Sequence, residues 1–282
     1  MHKKAKITIW VNMMVKNEER WIWYSLKSIL SCVDKIFVWD TGSSDNTVKI
    51  VNSIKNKKIK FQQIGRVNKS TFSKLRQKML DQTKSDWVFN VAGDEVWPKR
   101  TLLELVSKVK KAPKYIDTFC VRPLNFVGDI RFIHPETFYG QTPLAPKGIN
   151  GFFSSRIFKR NILGLHISGK YGSEGFFDSK GLSLRERKKH VKYLTNIYYW
   201  HMTYLPRSVS KNKDNEVMMR KKKRKYEIGI KKPKWVEVPE VFYLNRPKFV
   251  PDPFYKMNSW EYTRALIQTP LKKIKRRVFS NQ

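Results

Sequence analysis

An α/β fold with a mostly parallel sheet flanked by helices is predicted from three observations. Short apolar runs alternate with helical periodicity through the first 110 residues. The first of them, Ile7 to Val15, is a short apolar run of the kind a buried strand shows. Polar, acidic turns follow the runs, where such sheets bind ligands.

Taken in order, Ile7 to Val15 reads as the first strand. Asn17 stands at a helix N-cap position, with Glu18 and Glu19 suited to the positive end of the helix dipole. Ile22, Leu26, Ile29, Leu30 and Val33 follow at helical spacing. Lys35 to Asp40, Ile59 to Ile64 and Trp87 to Val91 read as strands two to four. Thr47 to Ile54, the stretch marked by Phe72, Leu75, Met79 and Leu80, and that of Leu102 to Val109 read as helices. Beyond Ile116 the pattern changes. Asp117 to Phe126 and Asp129 to Ile133 predict strands around a Val127–Gly128 turn, and Arg156 to Lys159 and Tyr193 to His201 predict two more. Pro135 to Gly151 and the glycine-rich Gly164 to Gly181 read as loops. Ser208 to Tyr226 reads as a very basic helix, Trp235 to Pro253 as extended, and Asn258 to Ile267 as a last helix.

The chain carries 58 Lys and Arg against 23 Asp and Glu, a formal charge of +35. Such a surface is drawn to polyanions: nucleic acid, anionic lipid or phosphorylated substrates. Arg220 to Lys225 is an unbroken basic run, read as a solvated face, and Lys272 to Arg277 is nearly another. Leu271, Ile274 and Val278 lie at i, i+3 and i+7 among these cations, the pattern of a helix lying on a membrane surface. The basic runs lack interleaved stacking aromatics, and no nucleic-acid motif is present, so no specific nucleic acid is expected. Cys32 and Cys120 stand apart and read as free thiols in a reducing compartment. With no signal peptide and no spanning apolar stretch, the expected location is cytoplasmic, with peripheral contact at the inner face of the membrane.

Four segments carry chemistry. They are Lys16-Asn17-Glu18-Glu19, then Asp40-Thr41-Gly42-Ser43-Ser44-Asp45-Asn46-Thr47, then Phe72 to Arg76, then Asp86 to Glu95 ending in Ala92-Gly93-Asp94-Glu95. In this order and spacing they resemble the family 2 glycosyltransferases of GT-A fold, over about residues 7 to 110 and more thinly to 205. The resemblance implies a GT-A-like domain over 1–205, with a nucleotide-sugar half (1–110) and an acceptor half (111–205), followed by a basic extension over 206–282. It implies transfer of a sugar from a nucleotide-diphosphate donor, UDP favoured, to a hydroxyl of a surface glycan or lipid-linked saccharide, with inversion. The alternatives weighed are a glycan-binding relative without activity and a nucleic-acid-binding protein.

By that resemblance Mn²⁺ or Mg²⁺ neutralises the leaving diphosphate. Asp94, Glu95 and His201 are the candidate ligands, although Ala92 stands where the family usually has the first Asp of Asp-x-Asp. Asn17, Glu18, Asp40, Gly42 and Arg76 are expected at the nucleotide, while Asp45 and Thr47 read as caps of the next helix. The base that takes the acceptor proton is expected at Glu174 or Asp178, with Glu136 as an outsider; His166 is a weaker analogue of His201.

Overall fold

The apolar runs assemble as the periodicity requires. In the computed structural model, which describes residues 6–140, 142 and 145–280 (277–280 by backbone alone), strand β1 (Ile9–Val15) leads into α1 (Ile22–Ile29). Then come β2 (Lys35–Asp40), α2 (Thr47–Ser53), β3 (Ile59–Gln63), α3 (Phe72–Gln82) and β4 (Trp87–Asn90). A two-residue β5 (Glu95–Val96) precedes α4 (Lys99–Lys110). The chain order 3-2-1-4 runs across this half of the sheet, and every pairing in it is parallel. Val15 lies beside Asp40, and Asn12 beside Asn90, so the carboxyl ends of β1, β2 and β4 share one edge.

The second half is mixed. β6 (Thr118–Val127), β7 (Asp129–Ile133), the one-turn helix α5 (Glu136–Tyr139) and β8 (Ser154–Lys159) follow. β8 runs antiparallel between β4 and β6 and joins the two halves. The turn before β7 leaves no space for a side chain: Gly128 has φ +73°, and a Cβ there would lie 2.5 Å from the Glu227 carbonyl oxygen. Gln141, Pro143 and Leu144, inside the proline-rich loop, lie outside the described residues. The glycine-rich stretch is not wholly irregular, since β9 (His166–Ser168) and β10 (Gly175–Phe177) form a hairpin in it. β11 (Val191–His201) then returns parallel to β6 and, at its end, antiparallel to β5.

Beyond residue 201 the reading needs correction. Ser208 to Tyr226 is not one helix but two short ones, α6 (Lys211–Asn215) and α7 (Arg220–Lys223), broken at Met219 with φ +58°. Nor is the basic run a solvated face. Only Lys221 and Lys222 of its six residues are exposed, and Arg220 is fully buried on Asp214 and the carbonyls of Thr203 and Leu205. After β12 (Ile230–Lys231), the stretch read as extended holds one 3₁₀ turn, Glu240–Tyr243. This stretch completes the core. Helix α1 is buried on nearly all sides, and Phe242 covers it, with its ring 5.2 Å from that of Tyr24. The Trp200 indole donates to the Glu237 carbonyl at 3.0 Å, and the Tyr24 hydroxyl to that of Pro251 at 2.8 Å. The last helix, α8, runs from Ser259 to Ser280, longer than its periodicity suggests. Among the described residues no helix is long and apolar enough to cross a membrane, and both cysteines are free.

Candidate active site

A cavity of about 270 Å³ opens at the edge where β1 and β4 end. Glu18, Arg76, Asp94, Glu95, Glu174 and His201, widely separated in sequence, all line it. The turn after β1 is tight: Asn17 holds φ +50°, and its side-chain amide accepts from the Ser44 N–H at 2.7 Å and donates to the Lys213 carbonyl at 2.6 Å. Asn17 and Glu18 therefore do not cap α1, which begins only at Ile22; Asn17 instead ties the first loop to the second and to α6. Gly93 lets the β4 loop approach this turn, because a Cβ there would lie 2.9 Å from Glu18 Cγ.

Asp94 is the buried centre. Neither of its carboxylate oxygens accepts a hydrogen bond, although the Arg207 guanidinium lies 2.7 Å from Oδ2 and, through its other nitrogen, 2.7 Å from Glu18 Oε1. Burial opposes the Asp94 charge, but Arg207, then His201 and nearby cations, outweigh it and hold the carboxyl at a pKa of about 2. Glu18, fully enclosed, is instead pushed well above the usual carboxylate range by burial, against the pull of Arg207. His201 ends β11, opposite Glu95 and beside Asn125. Its Nδ1 meets the Asn125 side-chain oxygen at 2.8 Å. An amide oxygen only accepts, so Nδ1 carries the proton and Nε2 keeps a lone pair. Burial lowers the imidazole to about 3, so the ring is neutral, with Nε2 3.7 Å from Asp94 Oδ2.

Glu95 is turned to Arg156, whose guanidinium lies over the Tyr199 ring and donates to its hydroxyl at 2.8 Å. Burial raises the Glu95 carboxyl to about 7. The β9–β10 hairpin carries Glu174 into the cavity because its turn leans on α3: Ser73 donates to the Gly169 carbonyl at 2.6 Å, and Tyr171 packs edge-on to Phe72. Arg76 then bridges Glu174 at 2.9 Å and the Asn90 side chain at 2.8 Å. Glu174 also accepts the Gly172 N–H at 2.5 Å.

Other expected residues stand elsewhere. Asp178 is not brought to this cavity; Arg187 binds it at 2.5 Å while also holding Asp117, and its carboxylate accepts the N–H groups of Lys180 and Leu182. Asp40 accepts from the N–H groups of Gly42 and Ser43, both at 3.1 Å, and from the Ser43 hydroxyl at 2.5 Å, so it shapes the second loop. Gly42 supports that loop with φ +87° and lies against Arg66. Asp45 accepts the Thr47 N–H at 2.9 Å at the start of α2, as a capping residue does. His166 is exposed and bonds the Gly164 carbonyl. Glu136 faces His134 at 3.5 Å, outside the cavity. Sequence reasoning missed Arg207, Arg156 and Lys223, which line the cavity, because nothing in a chain with 58 basic residues marks three of them.

Do these residues suit a divalent cation? Asp94 offers two buried oxygens without hydrogen bonds, and His201 offers a free nitrogen lone pair facing them. Among the described residues no three His, Cys, Asp or Glu side chains gather in one metal-binding group. Two protein donors suffice for an ion that takes its remaining oxygens from a diphosphate and water. Asp94 and His201 therefore fit such an ion, with Arg207 displaced from Oδ2; the Glu95 oxygens, likewise buried without hydrogen bonds, face Arg156 instead.

An acid-lined cleft at the carboxyl edge of parallel strands defines a class: α/β proteins that hold their ligand where the strands end. The Glycosyl transferase family 2 profile matches residues 10–172, more than half of the chain, and the protein belongs to that family. It is 27% identical over 115 residues to the SPbeta prophage-derived glycosyltransferase SunS of Bacillus subtilis (strain 168), covering 40% of this chain and 25% of that protein. The match to glycosyltransferase SunS of Bacillus phage SPbeta has the same extent. The aligned stretch thus spans a quarter of the length of these curated relatives. Among solved structures, S. aureus TarS 1-349 in complex with UDP-GlcNAc is similar at 19% identity and TM-score 0.47, covering 70% of this chain and 58% of that one. Glucosyl-3-phosphoglycerate synthase from Mycobacterium tuberculosis, in complex with Mn²⁺, UDP and glucosyl-3-phosphoglycerate, is similar at 18% identity and TM-score 0.44, covering 70% and 72%.

Proposed function

We propose that the cavity binds a nucleoside-diphosphate sugar, UDP-linked, and transfers the sugar with inversion to a hydroxyl of a glycan or lipid-linked saccharide. The observation that carries this reading is the pairing of unbonded Asp94 oxygens with the His201 lone pair in a cleft ringed by Arg207, Arg76 and Lys223. A bound Mn²⁺ or Mg²⁺ would supply Lewis-acid neutralisation of the departing diphosphate. The chain's own cations add to that potential: Arg207 and Lys223 point positive charge at a group that gains negative charge as the glycosyl–phosphate bond breaks. Glu174 takes the proton from the acceptor hydroxyl as its oxygen attacks the anomeric carbon, and the nucleoside diphosphate leaves. The Asn17, Asp40 and Gly42 loops face the nucleoside in this reading, shaped by the bonds that Asp40 makes to its own turn.

Thermal shift with UDP, with and without Mn²⁺, tests the proposal, because a ligand that binds only the native state raises the melting temperature. The full chain should be stabilised by UDP with Mn²⁺ more than by either alone. Asp94→Asn should lose the Mn²⁺-dependent part while keeping its fold. No response to any nucleoside diphosphate would overturn the reading, and an unchanged Mn²⁺ response in Asp94→Asn would remove Asp94 from the ion.

A further inference from the structure

Helix α8 carries its apolar residues on the side turned away from the protein. Its inner face buries Glu261, Ala265 and Thr269, and Lys272 and Arg276 hold Glu227 at 3.2 and 2.8 Å. At about 100° per residue, Trp260, Ile267, Leu271 and Ile274 gather roughly half a turn from that face. They are 59%, 64%, 64% and 61% exposed. The stripe they form is about 21 Å long at about 1.5 Å rise per residue. A surface helix ordinarily turns charge outward and apolar groups inward. Exposed cations run along one side of the stripe: Lys275, and Arg264, whose guanidinium lies 5.3 Å from the Trp260 ring centre.

We infer that this face lies on an anionic lipid surface, with the stripe sunk at the headgroup boundary. An apolar stripe bordered by cations is the pattern of a helix in the interfacial plane, and an indole at one end suits that boundary. Charge selects among possible occupants. A second copy would bring two +35 chains together stripe to stripe, which their repulsion opposes. Nucleic acid would use the flanking cations but gain nothing from Ile267, Leu271 or Ile274. An anionic bilayer meets both features at once. The inference is independent of the donor site. Sequence reasoning anticipated only part of the stripe, Leu271 and Ile274, and named Val278, whose side chain lies outside those described.

Sedimentation with vesicles of phosphatidylglycerol and phosphatidylcholine, against phosphatidylcholine alone, provides the test. The full chain is compared with a variant carrying Ile267→Glu, Leu271→Glu and Ile274→Glu, and with Leu271→Glu alone in case the triple change disturbs folding. The parent should partition to the anionic vesicles at least about ten-fold better than the triple variant, with a smaller loss for Leu271→Glu. Part of the binding should survive about 0.5 M salt, since screening weakens the charge attraction and leaves apolar burial intact. Both variants should keep the UDP response of the parent. Equal partition of parent and variants, no binding of the parent to anionic vesicles, or a parent dimer dissolved by these changes would overturn the inference.

Discussion

Two charged regions of this protein are balanced differently. In the cavity, Glu18 and Asp94 share Arg207, Glu95 meets Arg156, and Glu174 meets Arg76. Beneath α8 the buried acid Glu227 faces Lys272, Arg276 and the His134 ring, with Lys225 bonded to that ring. Matched pairs allow carboxylates to be buried in a very basic chain, because each buried charge keeps a partner. The unmatched region anchors a helix and leaves surplus positive charge at the surface.

The largest effect should come from breaking a matched pair at its most buried point. Arg220→Ala leaves the enclosed Asp214 with only the more distant Arg224 guanidinium, at 3.8 Å, and should lower unfolding stability by about 3 kcal/mol. Denaturant midpoints measure this, and a loss within about 0.5 kcal/mol would show that the pair is not a structural anchor. Next comes Glu174→Gln, which keeps shape and removes basicity. Turnover should fall by roughly 10² or more with UDP affinity retained, whereas undiminished turnover would move the base elsewhere.

The unmatched region makes the smaller prediction. His134 is buried with Lys225 Nζ 2.9 Å, Arg276 Nη1 3.3 Å and Glu227 Oε1 3.8 Å from its Nε2, and Glu136 3.5 Å from its Nδ1. Burial, then Lys225, lowers it from its ordinary 6.5 to about 3. Between those values the unfolded chain binds a proton that the folded one does not, so stability falls as pH drops below about 6.5 and is unaffected above it. Each pH unit inside that window is worth at most about 1.4 kcal/mol. Urea midpoints from about pH 4 to 7 should show a flatter acid limb for His134→Gln than for the parent. Parallel limbs would mean that the ring is protonated in the native state.

What was legible in the sequence follows the same division. Short apolar-rich runs located β1 to β4 to within two residues; β1, β2 and β4 are largely buried, whereas β3, at the sheet edge, alternates from Ile59 to Gln62. Acids are scarce, so Glu18, Asp94 and Glu174 stood out, and the fold brings them to one cavity. The arginines that match them could not stand out. Asp178 misled for a related reason: its loop position resembles that of Glu174, and only the tertiary fold gives it Arg187 and Asp117. The basic run at 220–225 read as surface because charge runs usually are, yet Asp214, Glu261 and His134 draw half of it inward.

Strand β11 sets the order in which this protein can become active. It delivers His201 opposite Glu95, and the Met202 N–H bonds the Asp94 carbonyl at 3.0 Å, joining segments about a hundred residues apart. Until that strand docks, β6 has β7 and β8 but lacks its parallel partner, and Asp94 lacks both His201 and Arg207. During synthesis the parallel half can therefore assemble well before the cavity exists. Such distant closure makes folding slow, and a ribosome-bound chain released before β11 would hold Asp94 without the groups that surround it.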